Sequence, residues 1–227
     1  MPDPLTVMTL ERLLNDRFSC RAYRSEEVPR DTQRRAFAAA QRTPSWCNTQ
    51  SWQVHVVSGR ARERLCGELH ALAAGGQPGN PDFAFPGSYV GVYRDRRKVC
   101  GVQLYESLGI GRDDRERAQA QALENFRGFG APHVAFITTE QALGVYGMLD
   151  CGLYVMSLML ALQAEGVQSI AQAALASYPD AVRQYFGLPD SRRVVCGLSF
   201  GLADHSAPIH GYRTERSDID GSVHWID

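Results

Sequence analysis

Between residues 17 and 23 the chain reads Arg17-Phe18-Ser19-Cys20-Arg21-Ala22-Tyr23, and between 44 and 52 it reads Pro44-Ser45-Trp46-Cys47-Asn48-Thr49-Gln50-Ser51-Trp52. In an extended segment alternate residues share a face. Arg17, Ser19 and Arg21 would then present two guanidiniums and a hydroxyl on one side, a forked donor set suited to phosphate. A solvated basic patch has the same spelling. The second stretch lies between a helix stop at Pro44 and a β-branched run that begins at Trp52. It is dense in groups able to read the edge of a heterocycle. Ordinary turn chemistry beside a core tryptophan is the competing reading.

The elements around these two stretches follow from periodicity. Thr9 reads as the N-cap of a first helix, with Leu10, Leu13 and Leu14 facing inward. Pro29 opens a second helix, Arg30 to Arg42, which Pro44 stops. Trp52 to Val57 alternates as a strand, and Arg60 to Ala73 is a helix with Leu65, Leu69 and Leu72 on one face. Residues 74–91 are rich in glycine and proline and read as a long loop of the kind that forms lids and binding surfaces. Helical stretches near 89–109 and 112–127 follow. A strand Pro132 to Thr138, the apolar helix Tyr146 to Glu165 and a short strand Val167 to Ala171 come next. A helix Pro179 to Phe186, ended by Gly187, and a strand Arg193 to Phe200 complete the pattern. This order predicts an α+β or α/β domain whose central sheet is covered by helices. Residues 203–227 have no core of their own. Ile209, Tyr212, Ile219, Val223 and Trp225 suit that tail to lie on another surface, that of a partner subunit.

A chain of 227 residues fits one domain, 1–227, with a core that needs no disulfide or metal staple. Its 25 acidic and 24 basic residues are interleaved and leave a net charge of −1, which excludes bulk electrostatic capture of nucleic acid. Lys98 is the single lysine, so the basic residues are otherwise all arginine. Cys20, Cys47, Cys66, Cys100, Cys151 and Cys196 form no C-x-x-C pair, which argues against a metal site and for reduced thiols in a cytoplasm. Asp3 and Glu11 sit where a signal peptide would be basic and then apolar. Cys151 to Leu162 is shorter than the roughly 20 residues of a membrane span and reads as a buried helix. There is no phosphate-binding glycine loop. Gly197-Leu198-Ser199-Phe200-Gly201 spells a nucleophile elbow, but no helix follows it. The six histidines offer neither a base with an acidic partner nor a ligand set.

Taken in order along the chain, these features resemble the FMN-dependent nitroreductase family. The matching parts are Arg17 to Tyr23 followed by Val28-Pro29, and Pro44-Ser45-x-x-Asn48-x-Gln50-x-Trp52. Gly130-Ala131-Pro132 before a strand, Asp150-x-Gly152 at the head of the long helix, and Gly197-x-Ser199-x-Gly201 complete the set. The Ser45-Trp46-Cys47-Asn48 variant and the Phe200-Gly201 ending are most similar to the branch that includes nitrobenzoate reductases. The resemblance implies a three-layer α+β fold with a mostly antiparallel sheet. It also implies an intertwined homodimer with the 203–227 tail exchanged and one FMN in each of two interface sites. Arg17, Ser19 and Arg21 would hold the flavin phosphate and the pyrimidine side of the ring, with Arg21 nearest N1 and the C2 carbonyl. Ser45, Asn48 and Gln50 would lie along the flavin. Gln172, Ala173 and Ala174 would bring a backbone N–H near N5, and Arg213 and Arg216 would return to the phosphate. The implied activity moves hydride from NADPH or NADH through FMN to a nitroaromatic such as a nitrobenzoate, with no side-chain nucleophile or base. Trp46, Phe83, Phe85 and Tyr89 would wall the acceptor, and Arg94, Arg96 and Arg97 could meet its carboxylate. Ser51 stands where the family usually has proline, and Trp46 and Cys47 where it commonly has small residues. Flavin fragmentation or reductive dehalogenation on the same fold is one alternative, and a non-enzymatic anion-binding module is another.

Overall fold

The computed structural model describes residues 4–226; Asp3, which entered the reading of the N-terminus, and the last residue of the tail, Asp227, lie outside the described residues. The helices are α1 (Pro4–Asp16), α2 (Arg30–Ala40), α3 (Gly59–Ala74), α4 (Gly91–Ser107), α5 (Arg115–Leu123), α6 (Gly144–Ala164) and α7 (Pro179–Phe186). The strands are β1 (Trp52–Ser58), β2 (His133–Glu140), β3 (Gln168–Gln172) and β4 (Arg192–Gly201). They form one antiparallel sheet in the order β1-β2-β4-β3.

β2 is buried on both faces from His133 to Thr139, with Val134 to Ile137 as its apolar stretch, as expected of a central strand. Ala135 and Ile137 join the core under α2 and α6, with Tyr154, Leu158, Leu162 and Phe200. Val134 and Phe136 point the other way, into a second core with Leu65, Leu69, Leu175 and Val182 from the α3 and α7 side. Period-two alternation along one strand therefore builds two cores and three layers. Close approach is bought by glycine at two points of β4. A Cβ at Gly197 would lie 2.3 Å from Leu175 Cδ1, and one at Gly201 2.6 Å from Pro132 Cδ.

Three expectations are corrected. Thr9 is not a cap but lies inside α1, where its hydroxyl donates to the Leu5 carbonyl at 2.7 Å. A threonine that back-bonds one turn earlier is satisfied without ending the helix. Leu10 and Leu14 of the supposed inner face are exposed, and Leu13 is half-buried. The long helix α6 is not buried all round. Cys151, Tyr154, Val155 and Leu158 face the core, while Val145, Tyr146, Leu149, Leu153 and Met156 face outward. Gln141–Ala164 is long and apolar enough to cross a membrane by composition alone, but its inner side packs on the sheet and buries Asp150.

The tail divides. Residues 203–217 close on their own chain, through an Ala203–Tyr23 bridge, His210 against Arg21, and Ser217 against Arg96. Farther on, Ile219, Trp225 and Ile226 are exposed, Trp225 at 78%.

Candidate functional site

The segment 17–23 is extended, as its alternation predicts. It adds to the sheet edge through a parallel bridge from Ser19 to Ser169 of β3, and Cys20 N–H donates to the Ser169 carbonyl. Cys20 is fully buried between the half-buried Ser19 and Arg21. Burial pushes its thiol up to about 11, so it stays protonated and unreactive at neutral pH.

Four arginines meet around this edge. Arg21 donates to its neighbour's carbonyl at Ser19 and to the Tyr212 hydroxyl, both at 3.4 Å. Arg213 stacks over Phe18, 4.2 Å from the ring centroid. Arg17 is held below the usual arginine range, first by burial and then by the charge of Arg216. Among the described residues none of Arg17, Arg21, Arg213 and Arg216 has a carboxylate within ion-pair distance. Two buried polar atoms here, Arg17 Nε and Ser169 Oγ, also have no hydrogen-bond partner. Buried donors are normally satisfied, so this edge has unused donor capacity of the kind an anion can take up. Ser169 was missed by the sequence reading, because a serine in a short strand carries no local signal.

Gln172 ends β3, three residues from Ser169, roughly 10 Å farther along the same strand. Its side chain is fully committed. Oε1 accepts from Ser199 Oγ and Nε2 donates to the Asn125 carbonyl at 2.8 Å. Ser199, fully buried, is thus a brace and no nucleophile. What Gln172, Ala173 and Ala174 offer outward is backbone, at a 3₁₀ turn where Ala173 is exposed. Phe129, in a left-handed conformation, sits under Arg21 at 6.0 Å.

The loop 44–52 is built differently. Cys47, Asn48 and Gln50 all have positive φ, near +50°, which costs each on the order of 1 kcal/mol. Neighbours over-determine it. Trp46 N–H donates to the buried Asp150 carboxylate of α6, Gln50 N–H to Ser45 Oγ, and Ser51 Oγ to the Gly147 carbonyl. Trp52 Nε1 donates to Gln41 Oε1, and the Gln41 amide donates to Gln50. Ser45, Asn48 and Gln50 are therefore brought together with one another, but not with the arginine edge. β1 and β3 are the two outer strands, about 14 Å apart across the sheet. Trp52 is level with Thr139, and Ser169 with His133 through Phe200, about 20 Å farther along. The two parts occupy diagonal corners of one chain.

The acceptor-wall residues also separate. Trp46 is exposed and packs on Tyr146, ring centroids 5.0 Å apart. Phe83 lines a cavity of about 740 Å³ with Gly144, two residues before Tyr146. Phe85 and Tyr89 lie farther along the 75–90 loop, with Arg97 over Tyr89 at 5.1 Å. Arg94 pairs with Asp95 and Arg96 donates to Ser217, so the three arginines have different partners.

The family model described as Nitroreductase family matches residues 14–202. Nitroreductase NfnB of Mycolicibacterium smegmatis is 40% identical over 210 residues, covering 92% of this chain and 89% of that protein. A 4-nitrobenzoate reductase of Pseudomonas putida is 30% identical over 217 residues, 95% of each. The crystal structure of the FMN-dependent nitroreductase NfnB from Mycobacterium smegmatis in complex with NADPH superposes with a TM-score of 0.93 at 38% identity. It covers 98% of this chain and all of that one.

Proposed function

This chain belongs to the nitroreductase family, and from that premise we propose that it is an FMN-dependent enzyme that uses NADPH to reduce nitroaromatic compounds, nitrobenzoates among them. The observation that carries the reading is the arginine edge with its unpartnered buried Arg17 Nε. Four guanidiniums without a carboxylate would repel one another unless an anion joins them, and a flavin phosphate is such an anion. NADPH as reductant is supported by the M. smegmatis structure. A nitrobenzoate acceptor is supported by the P. putida relative.

FMN, when bound, would supply the redox chemistry that links the nicotinamide to the nitro group. The chain's residues hold and tune it. Arg17, Arg213 and Arg216 take the phosphate, with Ser19 and Ser169 as hydroxyl donors. Arg21 stands farther along the edge as a fixed positive charge, which favours the anionic reduced ring. The Gln172–Ala174 backbone is fixed by the Ser199 brace. Ser45, Asn48 and Gln50 lie too far from this edge in one chain to serve the same flavin. In the proposed homodimer those of the partner subunit complete the site. The exposed apolar residues of α1 and α6 are the surfaces for that contact, and the 218–226 part of the tail, which carries the exposed Ile219, Trp225 and Ile226, is what would embrace the other subunit. Six unpaired cysteines suit a reducing cytoplasm.

The test is the visible spectrum of the purified protein, before and after anaerobic NADPH or NADH. A two-band flavin spectrum that bleaches, then recovers with 4-nitrobenzoate, is expected. A protein that neither carries nor binds FMN overturns the reading.

A further inference from the structure

The glycine- and proline-rich loop has no regular structure between residues 77 and 90. Its first half is tied down. The Tyr178 hydroxyl donates to the Gln77 carbonyl, and Asn80 N–H donates to the Ser177 carbonyl. Gly79 passes so close to Ser177 that a Cβ there would lie 3.1 Å from its carbonyl oxygen. Asp82 is the last and strongest of these ties. Its carboxylate is 3% exposed. Oδ2 accepts from Arg183 Nη1 at 2.6 Å and from Val194 N–H at 2.8 Å, and Oδ1 accepts from Arg193 Nη1 at 2.8 Å. Val194 lies beside the register shift between β2 and β4, where a bulge re-aims the strand. Beyond Asp82, among the described residues, no backbone–backbone hydrogen bond holds the loop until Tyr93 N–H meets the Val90 carbonyl. The tip that carries Phe83, Phe85 and Tyr89 thus hangs between Asp82 and the Arg97–Tyr89 contact.

We propose that Asp82 is the positioning residue of this aromatic loop, fixing where Phe83, Phe85 and Tyr89 meet an aromatic acceptor. The proposal rests on the function proposed above. Asp82 touches no reacting group itself; it acts through the residues that follow it. Its two arginines keep other partners, Arg183 with Asp180 and the Arg192 carbonyl, Arg193 with Gln141. Removing the Asp82 charge therefore unhooks the loop without leaving a buried guanidinium bare.

The test compares wild-type, Asp82→Asn and Asp82→Ala holoenzymes by FMN content, by kcat and KM for 4-nitrobenzoate, and by amide deuterium uptake. The variants should raise the acceptor KM about tenfold, with kcat and FMN content near wild type, because misplacing a binding wall weakens binding before it slows chemistry. Uptake should rise in 83–90 and, within β4, only at the Val194 amide that loses Asp82 as acceptor, while α7 and the rest of β4 stay unchanged. An unchanged KM, or uptake that rises equally through α7 and β4, overturns the proposal, since the residue would then be only a staple of the fold. If Asp82→Ala does not fold, Arg193→Gln removes one arm of the same tie and should give a smaller shift of the same kind. A wild-type protein that carries FMN but reduces no nitroaromatic overturns the acceptor reading instead, and is recognised before any variant is made.

Discussion

Ser199 shows what a residue's letters carry and what they do not. Its G-x-S-x-G setting spells a nucleophile, yet the serine is sealed in β4 and donates to Gln172 Oε1. The sequence excluded the elbow correctly, from the missing helix, but the brace depends on a partner 27 residues away that no local pattern reveals. Ser199→Ala leaves that buried oxygen without a donor and should cost about 1–3 kcal/mol in urea unfolding. A variant as stable as wild type would mean the bond is not formed. Arg17 and Arg21 were legible from their alternation; Ser169 was not, because it is defined only by what lies across the bridge. Arg17→Gln removes a charged donor worth about 1.5–3 kcal/mol. Its FMN dissociation constant should rise roughly tenfold to a hundredfold, with a shallower salt dependence. An unchanged constant would remove Arg17 from the phosphate site.

Elements were legible where periodicity or punctuation is strong. The bounds of α7 and the long loop were readable from Pro179, Gly187 and the clustered glycines and prolines. The start of α1 was not, because Thr9 has the chemistry of a cap and its use inside the helix depends on the Leu5 carbonyl. The loop 44–52 was legible as polar, but its three left-handed residues depend on Asp150, a hundred positions away. Asp150→Ala should destabilise the loop locally, raising deuterium uptake in 45–51 while the sheet stays protected; uniform uptake would contradict that. The tail's clasp titrates. His210 Nε2 accepts from Arg21 N–H and its Nδ1–H donates to the Asp204 carbonyl, so the neutral ring is the one that fits. Burial, with His205 and Arg213 nearby, holds its pKa below the usual value against the opposing pull of the Asp204 contacts. Burial lowers His55 and His133 likewise. A group whose folded pKa is lower binds fewer protons when native. Its contribution is therefore full above about pH 6.5 and is lost as pH falls below that value. The urea midpoint should drop between pH 7 and 5, and less steeply in His210→Gln; a flat wild-type profile would refute the linkage.

At the scale of the whole molecule, the strand order β1-β2-β4-β3 follows from long-range pairing that no window of sequence contains, and it puts the two motifs at diagonal corners. The apolar run Cys151 to Leu162 reads in the sequence as a buried helix. Such a helix is expected to be buried all round, and in this chain its outer face is not. Leu149, Leu153 and Met156 are spaced three and four residues apart on the outer face of α6. Leu5, Met8 and Leu10 are exposed on α1, which packs against α6. If a second copy covers this face, one interaction explains both the exposed apolar residues and the separated motifs. The wild-type protein should then run at about twice its 25.1 kDa chain mass. Leu149→Glu combined with Leu153→Glu should yield monomers with native helix content that no longer retain FMN. Loss of the dimer with FMN kept would show that one chain's arginine edge suffices. A wild-type monomer that carries FMN would leave the loop 44–52 without a role in flavin binding.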